Sequence, residues 1–128
     1  METISIQLQS KTSNIIIGEQ LKHVSHYTPD KKCVIITDEN VYRHYKDRFP
    51  PWEVIIIGTG EKNKTLQTVE YIYEKLIDAE LDRSGFIVGI GGGILCDIAG
   101  FVASTYLRGV PFGFVSTTLL SQVDAKIG

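Results

Sequence analysis

The stretch that most constrains the fold runs from Phe86 to Tyr106. Phe86, Ile87, Val88 and Ile90 suit a buried strand, and the three glycines Gly91, Gly92 and Gly93 interrupt it. Ile94, Ile98, Ala99, Phe101, Val102 and Tyr106 then recur at a spacing that lines one face of a helix. A strand that passes through consecutive glycines into a helix reads as a ligand-binding turn. Glycines let another group approach the backbone and permit positive φ, so that amides can converge on a phosphate where the helix begins. Asp97 lies about one turn into that helix, within reach of a ligand hydroxyl. The plainer alternative is a tight turn whose acid favours the helix dipole.

The rest of the chain repeats the pattern. Cys33-Val34-Ile35-Ile36-Thr37 is a continuous apolar strand ending in Asp38, and residues 39–49 follow as a helix that turns Val41, Tyr42, Tyr45 and Phe49 inward. Pro50-Pro51 closes this unit. Residues 52–57 form the next strand, and residues 58–64 a polar loop. Thr65 caps a helix over residues 66–81, where Leu66, Val69, Ile72, Tyr73, Leu76 and Ile77 keep a helical period. Arg108-Gly109-Val110-Pro111 turns the chain into a strand over residues 112–116, and Thr117-Thr118 opens a further helix. At the N-terminus, Ile4, Ile6 and Leu8 alternate with polar residues, and Ile15-Ile16-Ile17 follows, which predicts an antiparallel hairpin at a sheet edge. A short helix carrying Leu21, Val24 and Tyr27 comes next.

Buried strands alternating with helices predict an α/β fold: a Rossmann-like, mostly parallel sheet with flanking helices and an N-terminal β-hairpin. Ligands of such sheets bind beyond the carboxyl ends of the strands. Asp38, the loop 58–64, the glycine turn with Asp97, and Thr117-Thr118 all fall there.

Composition narrows the ligand. With 128 residues, 43% of them hydrophobic, the chain holds one domain with a real core. A net charge of −2, without a basic run, points away from nucleic acid and toward a small molecule. The N-terminus has no signal-peptide pattern and no apolar run approaches a bilayer span, so no membrane role is expected. Two distant cysteines, Cys33 and Cys96, fit a reduced, cytoplasmic protein. The chain stops at Gly128 inside what still reads as the body of an element, as a fragment would.

Two nucleotide motifs are approached and missed. G-x-G-x-x-G ends on Ile94 when started at Gly89 and on Cys96 when started at Gly91. Residues 58–65 match the phosphate loop G-x-x-x-x-G-K-T except that Asn63 stands for the second glycine. Asn tolerates left-handed backbone, so a nucleotide triphosphatase stays open, as does a plain solvated loop. His23 and His26 lack a third partner and read as surface residues, and the cysteines offer no zinc spacing, so no metal ligand is assigned. Arg108 suits a helix C-terminus on local grounds.

Taken together, residues 37–41, 60–65, 91–101, 106–110 and 117–124 resemble the 3-dehydroquinate synthase family of the sugar-phosphate cyclases, in order and spacing. The resemblance implies an NAD-binding N-terminal domain over residues 1–128, with a C-terminal helical domain, holding a divalent metal such as Zn or Co, lying outside this chain. It implies that Asp38 and Asn40 contact the adenosine end of NAD, and that Glu61 and Lys64 grip ribose and nearby groups. Gly92, Gly93 and Ile94 would approach the pyrophosphate, and Asp97, Thr117 and Thr118 would complete the site. Asp124 would face a sugar-phosphate substrate, and Arg108 would reach the substrate phosphate across a homodimer interface. The implied reaction converts 3-deoxy-D-arabino-heptulosonate 7-phosphate to 3-dehydroquinate with loss of phosphate, in the shikimate route to aromatic amino acids. The family usually has Val-Gly where Leu95-Cys96 stands here, and a small residue where Lys126 stands. Sister cyclases making 2-deoxy-scyllo-inosose or valiolone, metal-dependent polyol dehydrogenases, and a non-catalytic nucleotide-binding module are the alternatives.

Overall fold

A computed structural model describes residues 2–7, 12–17 and 32–116. Strands β1 (Glu2–Gln7) and β2 (Thr12–Ile17) pair antiparallel as the expected hairpin, with Glu2 opposite Ile17 and Gln7 opposite Thr12. The hairpin is a separate two-stranded sheet whose β1 lies beside the last strand of the main sheet. Then follow β3 (Cys33–Asp38), α1 (Glu39–Tyr45), β4 (Glu53–Ile57), α2 (Leu66–Asp78), β5 (Phe86–Gly91), α3 (Gly93–Thr105) and β6 (Phe112–Ser116). The helix expected around Leu21, and the stretch holding Thr117, Thr118, Asp124 and Lys126, lie outside the described residues.

β3 to β6 form a wholly parallel sheet in the order β4-β3-β5-β6. Both faces are covered, which is why its strands are apolar runs rather than alternating ones. Successive side chains leave opposite faces. Val34 and Ile36 pack with Val69, Ile72 and Leu76 of α2 and with Leu95, Ile98 and Val102 of α3. Cys33 and Ile35 face the other way, with Val41 of α1, Phe86, Val88 and Val115. Each fully buried aliphatic contributes about 1.5–3 kcal/mol.

The order also fixes where a ligand can enter. From β3 the chain crosses through α1 to β4 on one side, and from β5 through α3 to β6 on the other. The direction reverses between β3 and β5, so their carboxyl ends part and leave a crevice at the switch point.

The helix ends depart from the periodic reading for local reasons. α1 stops at Tyr45 and continues as a 3-10 turn over Lys46–Arg48. α2 stops at Asp78, because Glu80 takes φ 59° and the amides of Glu80 and Leu81 fold back to the carbonyls of Ile77 and Leu76. That closure is a Schellman motif with Glu at the left-handed position, and it buries Leu81 without helix. α3 ends at Thr105. Not every periodic apolar residue is interior: Leu66 is 77%, Ile77 62% and Phe101 51% exposed.

Candidate cofactor site

The crevice at the switch point is a cleft of about 200 Å³, lined by Asp38, Ile57, Gly58, Gly60, Gly92, Gly93, Ile94 and Leu95. Of the anticipated residues it therefore gathers Asp38, Gly92, Gly93 and Ile94. Gly58 and Gly60 were expected only as part of a loop, and they are wall residues.

The three helices start differently, and the difference marks the site. Asp38 caps α1, its Oδ1 accepting from the Val41 amide at 2.9 Å. Thr65 caps α2, its hydroxyl accepting from the Thr68 amide at 3.2 Å. Gly92 opens the 13-residue α3 and offers no side-chain cap. The first amides of a helix have no partner within it, and here no side chain supplies one. A Cβ built on Gly92 or Gly93 would meet nothing within 4 Å, so the backbone faces open space. Uncapped amides, a helix dipole and room for close approach together suit an anion such as a pyrophosphate.

The other glycines of the run serve packing. A Cβ on Gly91 would stand 2.7 Å from the Leu95 side chain, and one on Gly89 2.9 Å from that of Ala99. This corrects the conformational expectation: among the described glycines, positive φ belongs to Gly60 (93°) and Gly109 (109°), not to the run before α3. The run is glycine for space, not for handedness.

The loop after β4 is not a phosphate cradle. Glu61–Asn63 form a 3-10 turn, and Asn63 folds its side chain back, donating from Nδ2 to the Thr59 carbonyl at 2.6 Å. Its carboxamide packs against Gly58, where an added Cβ would meet it at 2.9 Å. Asn63 thus staples the loop shut where the phosphate-loop motif has glycine. Glu61 stands exposed on that turn and is not part of the cleft wall.

Lys64, leaving the loop, places Nζ 3.3 Å from Oδ2 of Asp97 on α3. Both groups are largely in solvent, and beside them opens a groove lined by Leu66, Val69, Ile98 and Phe101. Asn40 is exposed, and its Oδ1 accepts from Arg43 along α1, outside the cleft. Cys96 turns Sγ toward the Gly91 carbonyl at 3.7 Å. Burial, and then the neighbouring Asp97 charge, push its thiol up to about 11. No disulfide joins Cys33 and Cys96.

Arg108 is elsewhere. α3 runs back from the cleft for 13 residues, about 20 Å, and Arg108 follows it. It lines a surface hollow with Asp82, Arg83 and Ser84, just before β5 begins, at the opposite end of the sheet. Leu107 (φ 49°), Arg108 (φ 69°) and Gly109 (φ 109°) are left-handed in succession, a conformation disfavoured for the first two. Beside it, hydrogen bonds from the Ser84 hydroxyl and amide hold Asp82 below the usual carboxylate range.

Among the described residues, no three His, Cys, Asp or Glu side chains gather to hold a metal ion, and no helix is long and apolar enough to cross a membrane.

Comparison with known proteins gives the family. The 3-dehydroquinate synthase N-terminal family profile matches residues 54–128. The 3-dehydroquinate synthase of Ruminiclostridium cellulolyticum is 40% identical over 136 aligned residues, covering 97% of this chain and 38% of that enzyme. Curated relatives of this name are matched over 31% to 40% of their own length. Among solved structures, a 2-deoxy-scyllo-inosose synthase superposes with a TM-score of 0.69 at 28% identity, over 91% of this chain and 36% of that one. The 2-epi-5-epi-valiolone synthase of Streptomyces hygroscopicus, with NAD+ and Zn2+ bound, gives 0.64 at 26% identity, over 80% and 32%. Since the matched span contains the stapled loop, the uncapped glycine turn and α3, the chain belongs to the 3-dehydroquinate synthase family.

Proposed function

We propose that this chain is the NAD-binding part of a 3-dehydroquinate synthase, which converts 3-deoxy-D-arabino-heptulosonate 7-phosphate to 3-dehydroquinate with release of phosphate. The observation that carries the reading is the uncapped start of α3 at the switch point, with open space over Gly92 and Gly93. It fits a dinucleotide pyrophosphate, and a related cyclase of known structure binds NAD+.

In this reading the pyrophosphate sits on the amides of Gly93 and Ile94. Asp38 keeps Oδ1 on the Val41 amide and offers Oδ2 to the adenosine ribose. Lys64 and Asp97 exchange their mutual contact for ligand hydroxyls, and Glu61 and Asn40 serve from the rim. Thr117 and Thr118 are assigned to NAD, and Asp124 to the substrate. Bound NAD supplies reversible oxidation of a secondary alcohol, which acidifies the neighbouring C–H so that phosphate can leave. A divalent metal, Zn or Co, would be held by a C-terminal domain.

Arg108 cannot serve the cleft of its own chain from the far end of α3. It is assigned to the substrate phosphate of a second copy in a homodimer. Two cysteines that are not joined by a disulfide suit a reducing cytoplasm.

A second reading, a sister cyclase, is favoured by the fit to 2-deoxy-scyllo-inosose synthase. Phosphate release from 3-deoxy-D-arabino-heptulosonate 7-phosphate by the full-length protein decides between them. Release that requires NAD and stops on metal chelation is expected; no release from this substrate, with NAD still bound, would transfer the assignment to a sister cyclase.

A further inference from the structure

Thr37 carries a polar side chain that is wholly inaccessible to solvent. Its neighbours in β3 are Val34, Ile35 and Ile36, and packing alone would be met by valine. A buried hydroxyl is costly unless it is bonded. Thr37 Oγ1 donates to the Ile90 carbonyl at 2.7 Å, across the β3–β5 pair, and the two residues stand opposite each other in register.

The position of this bond matters more than its strength. The next residue along β3 is Asp38, and the next along β5 is Gly91, followed by Gly92. Asp38 and Gly92 line the cleft from its two sides. Beyond Thr37 and Ile90 the strands lead into α1 and α3, which depart in opposite directions across the sheet. The side-chain bond therefore adds a tie between the last paired residues before the crevice opens. We propose that Thr37 is a positioning residue for the dinucleotide cleft, fixing the separation of Asp38 from the start of α3. The inference rests on the NAD reading above.

The test uses Thr37→Val, which keeps the branched shape and removes the donor, and Thr37→Ser, which keeps the donor. NAD is titrated calorimetrically into the full-length protein and both variants, and thermal unfolding is recorded for each. Loss of one hydrogen bond should raise the Kd for NAD about threefold to tenfold in Thr37→Val, with Thr37→Ser within about twofold of the parent. A lowered Tm with an unchanged Kd in Thr37→Val would make the hydroxyl merely structural and overturn the proposal. Failure of Thr37→Val to fold, or an equal loss of affinity in both variants, would overturn it too. If the unsubstituted protein shows no saturable NAD binding, the dinucleotide reading itself falls, a result separable from the others.

Discussion

Lys64 Nζ lies 3.3 Å from Asp97 Oδ2, joining the loop after β4 to the fifth residue of α3. The two side chains are 47% and 65% exposed. An ion pair so open to water contributes little to folding, at most about 1 kcal/mol. In the NAD reading these two side chains serve the ligand rather than the fold. Asp97→Ala should leave Tm nearly unchanged while weakening NAD about tenfold or more, the scale of a hydrogen bond to a charged group. An unaltered NAD affinity would remove Asp97 from the site.

The glycines should separate by role. Gly91→Ala drives a Cβ to 2.7 Å from Leu95, and overpacking of this kind costs about 1–3 kcal/mol of stability. Gly92→Ala meets no protein atom and its φ of −82° suits alanine, so it should fold normally yet bind NAD poorly. Thermal melts beside NAD titrations check both. A Gly92→Ala protein that binds NAD like the parent would show that nothing approaches that backbone.

Arg108 should behave as a residue lent to another copy. Arg108→Ala is expected to lower kcat/KM for the sugar phosphate while leaving the Kd for NAD unchanged. Mixing Arg108→Ala subunits with Asp97→Ala subunits should restore activity to about one quarter of the parent value, since half of randomly mixed dimers carry one intact site of two. Absence of any restoration would make Arg108 an ordinary cation at a helix end.

Cys96 should resist modification at neutral pH. Its thiol is raised to about 11, so the neutral form is favoured by the fold. The associated stability is fully present below the ordinary thiol value of 9.0 and is lost as pH rises through about 11. Alkylation by iodoacetamide, read at Cys96 by mass spectrometry, should stay slow at pH 8 and accelerate steeply only as pH approaches the raised value. Rapid labelling at pH 7 would contradict this.

Much of this was legible in the chain. The apolar runs 33–37, 86–90 and 112–116 became strands because a parallel sheet covered on both faces needs unbroken apolar sequence. Asp38, Gly92, Gly93 and Ile94 converge because they stand at strand ends that the topology brings together. What the sequence hid depended on three-dimensional neighbours. Asn63 looked like a defective phosphate loop until its side chain was seen bonded to Thr59. Thr37 looked like strand filler, since a buried hydroxyl and a valine read alike in an apolar run. Arg108 could be placed at the far end of the sheet only once the course of α3 was known.

In the NAD reading the crevice between β3 and β5 takes a dinucleotide on the uncapped start of α3. Titration of NAD into the full-length protein, beside ATP with Mg²⁺, tests it most directly. Saturable binding of NAD that Gly92→Ala weakens is the predicted result; saturable binding of ATP with Mg²⁺ and none of NAD would contradict it.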